Sequence, residues 1–403
     1  MKFNKVGQAT LIAAVALVVA TAFTACSPVT IDYLYVTGNH QNPGQIQTFE
    51  VDRVTGALTI VGSTVSSGGV SPIAEVAHPN GQSLYVANQG DSSLVQFTVG
   101  SSGVPSSPKV TSETASGNTP VAMTINASGT LLFVVNQYQP GCSTATTGAS
   151  TCNGGSLAVF PLGSGGAIGS PVANGALSYW PVGINPTAVN VLASGAAVLV
   201  STYSPAAGTG YVYSFAATSA GVLTADVNSP YLAGVRPSGI ASTPTSRYVY
   251  VTDFSQNELI AFSVLDGSSL RPLINGPFRT GNQPTAITID PRGIFIYLTN
   301  ELDNTISAYD INLQNGTPSA AVNTTGSAAN STGTLPVAIT VDSGFARYVY
   351  SANFLDNSLT GFQLNSSTGT LAPVQGGPYP SIGQPTAVAT IPRGNHSIQV
   401  TQP

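Results

Sequence analysis

Hydrolysis of an ester-like bond needs a base that activates water and a cation or donor that meets the developing oxyanion. Glu75 and Arg236 are the candidates for those two roles in this chain. Glu75 stands three residues after Pro72, in a β-type run whose sister runs carry Met123, Val189, Ile240, Ile287, Ile339 and Val388 at the same place. A carboxylate at such a position is partly buried, and burial raises a carboxyl pKa toward the range of a working base. Arg236, directly before Pro237, suits an acidic substrate or an oxyanion. The plain alternative is a buried Glu met by backbone donors and an Arg facing solvent. Charged residues make up only 7% of the chain, so each one narrows the choice.

What must position these residues is a repeat. The stretch from Gly281 to Ile311 contains β-type runs at Thr285–Ile289, Ile294–Thr299 and Thr305–Ile311, separated by turn residues. The second run ends in a tetrad beginning at Tyr35, Tyr85, Phe133, Leu199, Tyr250, Tyr297 and Tyr350. The first run follows Pro72, Pro120, Pro186, Pro237, Pro284, Pro336 and Pro385. The third carries Phe49, Phe97, Phe160, Phe215, Phe262, Tyr309 and Phe362. Each marker occurs seven times, and the period of about 50 residues is that of a four-stranded propeller blade. Fourth strands are weaker in sequence and follow stretches such as Gly221–Leu223 and Gly369–Leu371. The phase starts on a second strand, Tyr33–Thr37, and finishes on a first strand, Pro385–Ile391. The expected fold is therefore all-β: a seven-bladed β-propeller of four-stranded antiparallel blades, its ring closed by the C-terminal strand joining the N-terminal blade. Residue two after each proline is always Ala or Gly, which fits a crowded inner strand. No helical periodicity follows residue 30.

The expected layout is a lipoprotein signal peptide over 1–25, a short tether over 26–32, the propeller over 33–391 and a tail over 392–403. Lys2 and Lys5 precede an apolar run, Leu11–Phe23, that is shorter than the roughly 20 residues of a bilayer span. Phe23-Thr24-Ala25-Cys26 resembles the lipobox of bacterial lipoproteins, which makes Cys26 the lipidation site; an ordinary signal peptide is the alternative. Ser27 after the cysteine resembles outer-membrane sorting. The expected location is extracytoplasmic, lipid-anchored to a bacterial membrane through Cys26. Cys142 and Cys152 remain, and in an oxidising compartment they form a disulfide rather than a metal site, since no histidine lies nearby. Lys109 is the only lysine after the leader, so the clustered cations that nucleic acid requires are missing. Ser397–Val400 is either a short extra strand or loose chain.

Tyr85-Val86-Ala87-Asn88, Tyr297-Leu298-Thr299-Asn300 and the turn His78-Pro79-Asn80-Gly81 carry a family signal. They resemble the YVTN-repeat proteins and the seven-bladed lactonase family, whose named member is a 6-phosphogluconolactonase, across Tyr33–Ile391. The resemblance implies that loops leading into the first strands share one face with the turns between second and third strands. That face would carry Arg236, Arg279, His40, Asp253, Glu301, Asp303, Asp356 and the Cys142–Cys152 loop. His78, Arg247, Arg292 and Arg347 would fall on the opposite face. No first strand contains a histidine, which departs from the family's enzymes. Asp253, Asp303 and Asp356 offer oxygens of the kind Ca²⁺ prefers, although no loop alternates carboxylates as a dedicated site does. No cofactor other than Ca²⁺ has a case, and the tetrad asparagines read as turn formers. Two functions are expected from this sequence. The first is an anchored propeller that binds a small molecule or envelope protein on the disulfide-bearing face. The alternative is an extracytoplasmic lactonase.

Overall fold

The structure is a computed structural model that describes residues 30–112, 115–142, 152, 154–321 and 329–393. The leader, the lipidation site at Cys26 and Ser397–Val400 lie outside the described residues. Seven antiparallel sheets form the blades. Blade 1 holds Thr30–Gly38, Gln45–Asp52 and Leu58–Ser66, and its inner strand is Pro385–Pro392. Tyr33 pairs with Ile391 and Thr37 with Ala387, so the ring closes through the last described strand as the phase of the repeat implies. The other inner strands, in ring order, are Pro72–Ala77, Asn118–Ile125, Pro186–Val191, Pro237–Ser242, Pro284–Ile289 and Pro336–Val341. The repeat stretch is reproduced closely: its second and third strands are Phe295–Asn300 and Thr305–Ile311.

Outer strands explain their faint sequence signal. In blade 5 the outer edge is two fragments, Leu270–Pro272 and Phe278–Arg279, which both pair with the third strand, Glu258–Val264. Edge fragments bury one face and make few ladder bonds, so little in the sequence is constrained. Among the described residues the only helical piece is a single 3₁₀ turn, Ser164–Gly166.

The core lies between blades. Ile31, Leu34 and Val36 of blade 1 pack with Tyr348, Tyr350 and Leu359 of blade 7, and comparable clusters fill the other boundaries. Burial of this apolar area, at roughly 25 cal/mol per Å², is the main attraction holding the ring together. The tetrad tyrosines add a polar clasp. Tyr35 donates to the Gly103 carbonyl of the next blade, Tyr85 to Gly166, Tyr250 to Gly316, Tyr297 to Gly369 and Tyr350 to Gly56. Phe133 and Leu199 lack the hydroxyl. At the blade 3–4 boundary Trp180 Nε1 donates to the Leu223 carbonyl instead.

Inner strands are crowded by each other. A Cβ on Gly239 would sit 2.9 Å from the Thr285 carbonyl oxygen of the next blade. Ser238, Thr285 and Thr386 hydroxyls donate to the Pro284, Pro336 and Pro72 carbonyls of the following inner strands. Six of the inner strands open on their proline, where a missing N–H costs no ladder bond, and in blade 3 Pro120 follows two residues into Asn118–Ile125.

Candidate functional site

Strand register fixes which loops share a face. Pro237 pairs with Asp253 and Asp253 with Glu258, while Pro284 pairs with Asn300 and Asn300 with Thr305. Lead-in loops and second-to-third-strand turns therefore lie at one end of every blade. That mouth face carries Arg236, Asp253, Glu301, Asp303 and Asp356, and the Gly38–Gln45 turn adds His40. His40 lies against the Gly383 backbone. Arg279 sits farther out, in the outer fragment paired with Glu258, and its carbonyl accepts from Tyr309 Oη. Cys142 and Cys152 are bonded at 2.03 Å, and the Cys142 carbonyl accepts from Asn118 Nδ2.

Most mouth carboxylates are already occupied. Asp253 is fully buried and accepts from the amides of Val235, Arg236, Ser255 and Gln256. Asp303 accepts from the Asn282 amide and its Nδ2, and Asp356 from the Thr334 amide. These side chains knit each lead-in loop to its own blade. The tetrad asparagines do the same: Asn300 accepts from the Gly281 amide and donates to Thr305 and Ser307 hydroxyls. They bond across their own turn, as Asn88 to Ser93 and Asn353 to Ser358 do, and Asn300 also reaches the lead-in loop. Among the described residues no three His, Cys, Asp or Glu side chains come together as a metal cluster.

Glu75 occupies the boundary between blades 1 and 2. Neither carboxylate oxygen has a hydrogen-bond partner of good geometry. Burial pushes its carboxyl well above the usual range, and the nearby Ala389 amide opposes this only in part. Arg236 makes no electrostatic contribution there. The two enter blades 2 and 5 of the ring, so the geometry does not bring them together.

Arg236 meets a different carboxylate. Its guanidinium stacks 4.3 Å from the Phe254 ring centroid and 5.4 Å from that of Tyr203. Burial raises the Glu301 carboxyl, and the Arg236 charge draws it back down. Three blades contribute: Tyr203 ends the second strand of blade 4, Arg236 and Phe254 belong to blade 5, and Glu301 opens a turn of blade 6. The Phe254 amide donates to the Arg236 carbonyl, which fixes ring and guanidinium together. Blade 5 also departs from its sisters locally. The residue before the inner-strand proline has positive φ at Ser71, Thr119, Asn185, Gln283, Leu335 and Gln384, but not at Arg236. There Gly234 takes the left-handed conformation at φ 76°, and the Arg236 amide turns to Asp253. Among the described residues Arg236 has no carboxylate within ion-pairing distance. The site is thus an exposed, oriented cation beside a half-buried carboxylate of raised pKa.

The sequence placed Arg236 and Glu301 on this face separately and singled out neither Phe254 nor Tyr203. The signal for Phe254 was its position directly after the blade 5 tetrad. On the opposite face Arg292 pairs with Asp290 at 2.8 Å, and a His78 ring nitrogen lies 2.9 Å from the Gly129 carbonyl oxygen, where the sequence put both turns.

Comparison with known proteins agrees with this architecture. Among solved structures, the periplasmic gluconolactonase PpgL of Pseudomonas aeruginosa is 17% identical, with 90% of this chain and 99% of that one covered at a TM-score of 0.70. A Bacteroides fragilis protein assigned as a 6-phosphogluconolactonase is 18% identical over 90% and 98%, with a TM-score of 0.69. Hydrazine synthase of Kuenenia stuttgartiensis is also similar, at 14% identity over 83% and 95% and a TM-score of 0.57. Likeness at these identities shows the fold, and the third neighbour shows that the fold hosts other chemistry. No match was found among curated proteins. The family model described as lactonase, 7-bladed beta-propeller matches residues 73–151 and 177–396. On that match, which spans most of the chain, the protein belongs to the seven-bladed β-propeller lactonase family.

Proposed function

We propose that the chain is an extracytoplasmic lactonase whose reaction takes place at Arg236 and Glu301. The observation that carries this reading is their convergence on the mouth face, with the cation unpaired and the carboxyl raised by burial. A lactone carbonyl oxygen lies toward Arg236. Glu301 takes a proton from water as the water oxygen bonds to the carbonyl carbon. Arg236 meets the oxyanion charge. The ring C–O bond then breaks, and the leaving alkoxide recovers the proton from Glu301, giving a hydroxy acid. A raised carboxyl pKa makes Glu301 a stronger base near neutral pH than an exposed carboxylate. Phe254 and Tyr203 keep the guanidinium oriented, so little reorganisation is needed during reaction.

The basic, apolar and cysteine-ended leader supports export and lipid attachment at Cys26. The PpgL neighbour, named a periplasmic gluconolactonase, is consistent with that location. A second reading, ligand or protein binding without turnover, is favoured by the disulfide-closed connection on the same face. A screen of phosphorylated and unphosphorylated sugar lactones, with and without Ca²⁺, separates the two. Turnover lost in Arg236→Ala and Glu301→Gln supports the enzyme; saturable lactone binding with no acid release supports the binder. Labelling with radioactive palmitate that disappears in Cys26→Ala tests the anchor.

A further inference from the structure

A groove of about 650 Å³ lies away from the mouth face, on the outer rim between blades 5 and 6. Such a volume falls within the roughly 300–1,000 Å³ of small-molecule sites. Its walls come from the turn before Tyr248, the far end of the Glu258–Val264 strand, the Leu270–Pro272 fragment with its following loop, and the Gln314–Thr317 turn of blade 6.

The side chains there fall into three chemical kinds. Arg247 and Arg271 both line the groove, and among the described residues neither pairs with a carboxylate. No Asp or Glu lines it. Arg247 is held in place: Nη1 donates to the Leu313 carbonyl across the blade boundary, and the guanidinium lies 5.4 Å from the Tyr248 ring. Arg271 is exposed on an outer fragment; its backbone pairs with Ser263, whose Oγ donates to its carbonyl, and among the described residues its side chain makes no hydrogen bond. Asn275, Gln314 and Asn315 add amides that both donate and accept. Leu265, Leu273 and Ile274 add an aliphatic wall, with Ile274 98% exposed.

In a chain of net charge −5, two unpaired guanidinium groups in one groove call for an anion from outside. Guanidinium forks match carboxylates in bidentate geometry. Amides that donate and accept match hydroxyl groups. Exposed aliphatic side chains match the C–H faces of sugar rings. We propose that this groove binds an acidic carbohydrate, a short uronate-type oligosaccharide, on the face opposite the Arg236–Glu301 site.

Trigalacturonate is the probe, with maltotriose as its neutral counterpart and inorganic phosphate as the bare anion. Isothermal titration of the purified full chain should show saturable trigalacturonate binding and none for maltotriose. Arg271→Ala should weaken it at least about tenfold, the loss expected for one charge-assisted contact. Because Arg271 bonds only through its backbone, this variant tests the groove without touching the blade boundary, and lactone turnover should be unchanged. Arg236→Ala should leave trigalacturonate binding intact, which separates failure here from failure of the proposed reaction. Equal binding of maltotriose, phosphate binding as tight as trigalacturonate, indifference to Arg271→Ala, or no saturable binding would each overturn the proposal.

Discussion

The boundary between blades 1 and 2 and the boundary between blades 5 and 6 are built alike. Each is clasped by a tetrad tyrosine, Tyr35 on Gly103 and Tyr250 on Gly316, both at 2.7 Å. Each also holds a carboxylate whose pKa is raised by burial. At the first, Glu75 has no cation beside it, and only the nearby Ala389 amide, in poor hydrogen-bond geometry, offsets its burial. At the second, Glu301 remains partly open and feels the Arg236 charge. The contrast shows what burial can and cannot do. Desolvation alone holds a carboxyl protonated and out of reach. Partial desolvation beside a cation raises a carboxyl less and leaves it open to the mouth.

The comparison is broken most severely at the second boundary. Arg236→Ala and Glu301→Gln should each lower lactone kcat/KM about 100-fold or more, the usual scale for losing an oxyanion partner or a general base. Because both act in one step, the double variant should lose little more than either single. Glu75→Gln should retain turnover in the same assay; a comparable loss there would reverse the assignment of the two carboxylates. The acid limb of the pH–rate profile should move to higher pH in Arg236→Gln, because the charge that lowers the Glu301 pKa is gone.

A smaller effect tests the shared clasp. Tyr250→Phe leaves the Gly316 carbonyl without its donor and should cost about 1–3 kcal/mol in urea unfolding. Phe133→Leu, at the boundary where Trp180 rather than a tetrad tyrosine makes the clasp, should show only a packing loss.

The smallest effect sharpens the first boundary. The folded-state pKa of Glu75 lies above an unfolded value of about 4.3, so the native chain holds the extra proton. The stability this lends is full below that unfolded value and drains away as pH rises toward the folded one. Urea midpoints measured against pH should therefore fall less steeply in Glu75→Gln than in the parent. A residual slope of the same sign is expected from Asp32, whose carboxyl is pushed up to about 8, first by burial and then by Asp342. Superimposable profiles for Glu75→Gln and parent would show that Glu75 is solvated.

The ring was legible because its markers do the same jobs from blade to blade. Tyrosine clasps the neighbour in five blades, proline stands at or near the start of the inner strand, and the third-strand aromatic fills the boundary. Glu75 stood out for the same reason, as a carboxylate in a column of aliphatics. Its distance from Arg236 was not legible, because a repeat gives blade membership without showing which side chains meet across the mouth. Nor was the approach of Arg236 in blade 5 to Glu301 in blade 6, or the left-handed Gly234 that sets the blade 5 lead-in apart from its sisters. The acidic loops offered oxygens without the alternation of a dedicated cation site, and in the fold Asp253, Asp303 and Asp356 accept from the amides of their own lead-in loops.

Closure by Pro385–Pro392 has a consequence for how the molecule acquires its shape. Tyr35 finds Ala389 only after every intervening blade has been made. Blade 1 therefore keeps one flank unpaired until that last strand is present, and pairing across so long a stretch of chain is slow to form.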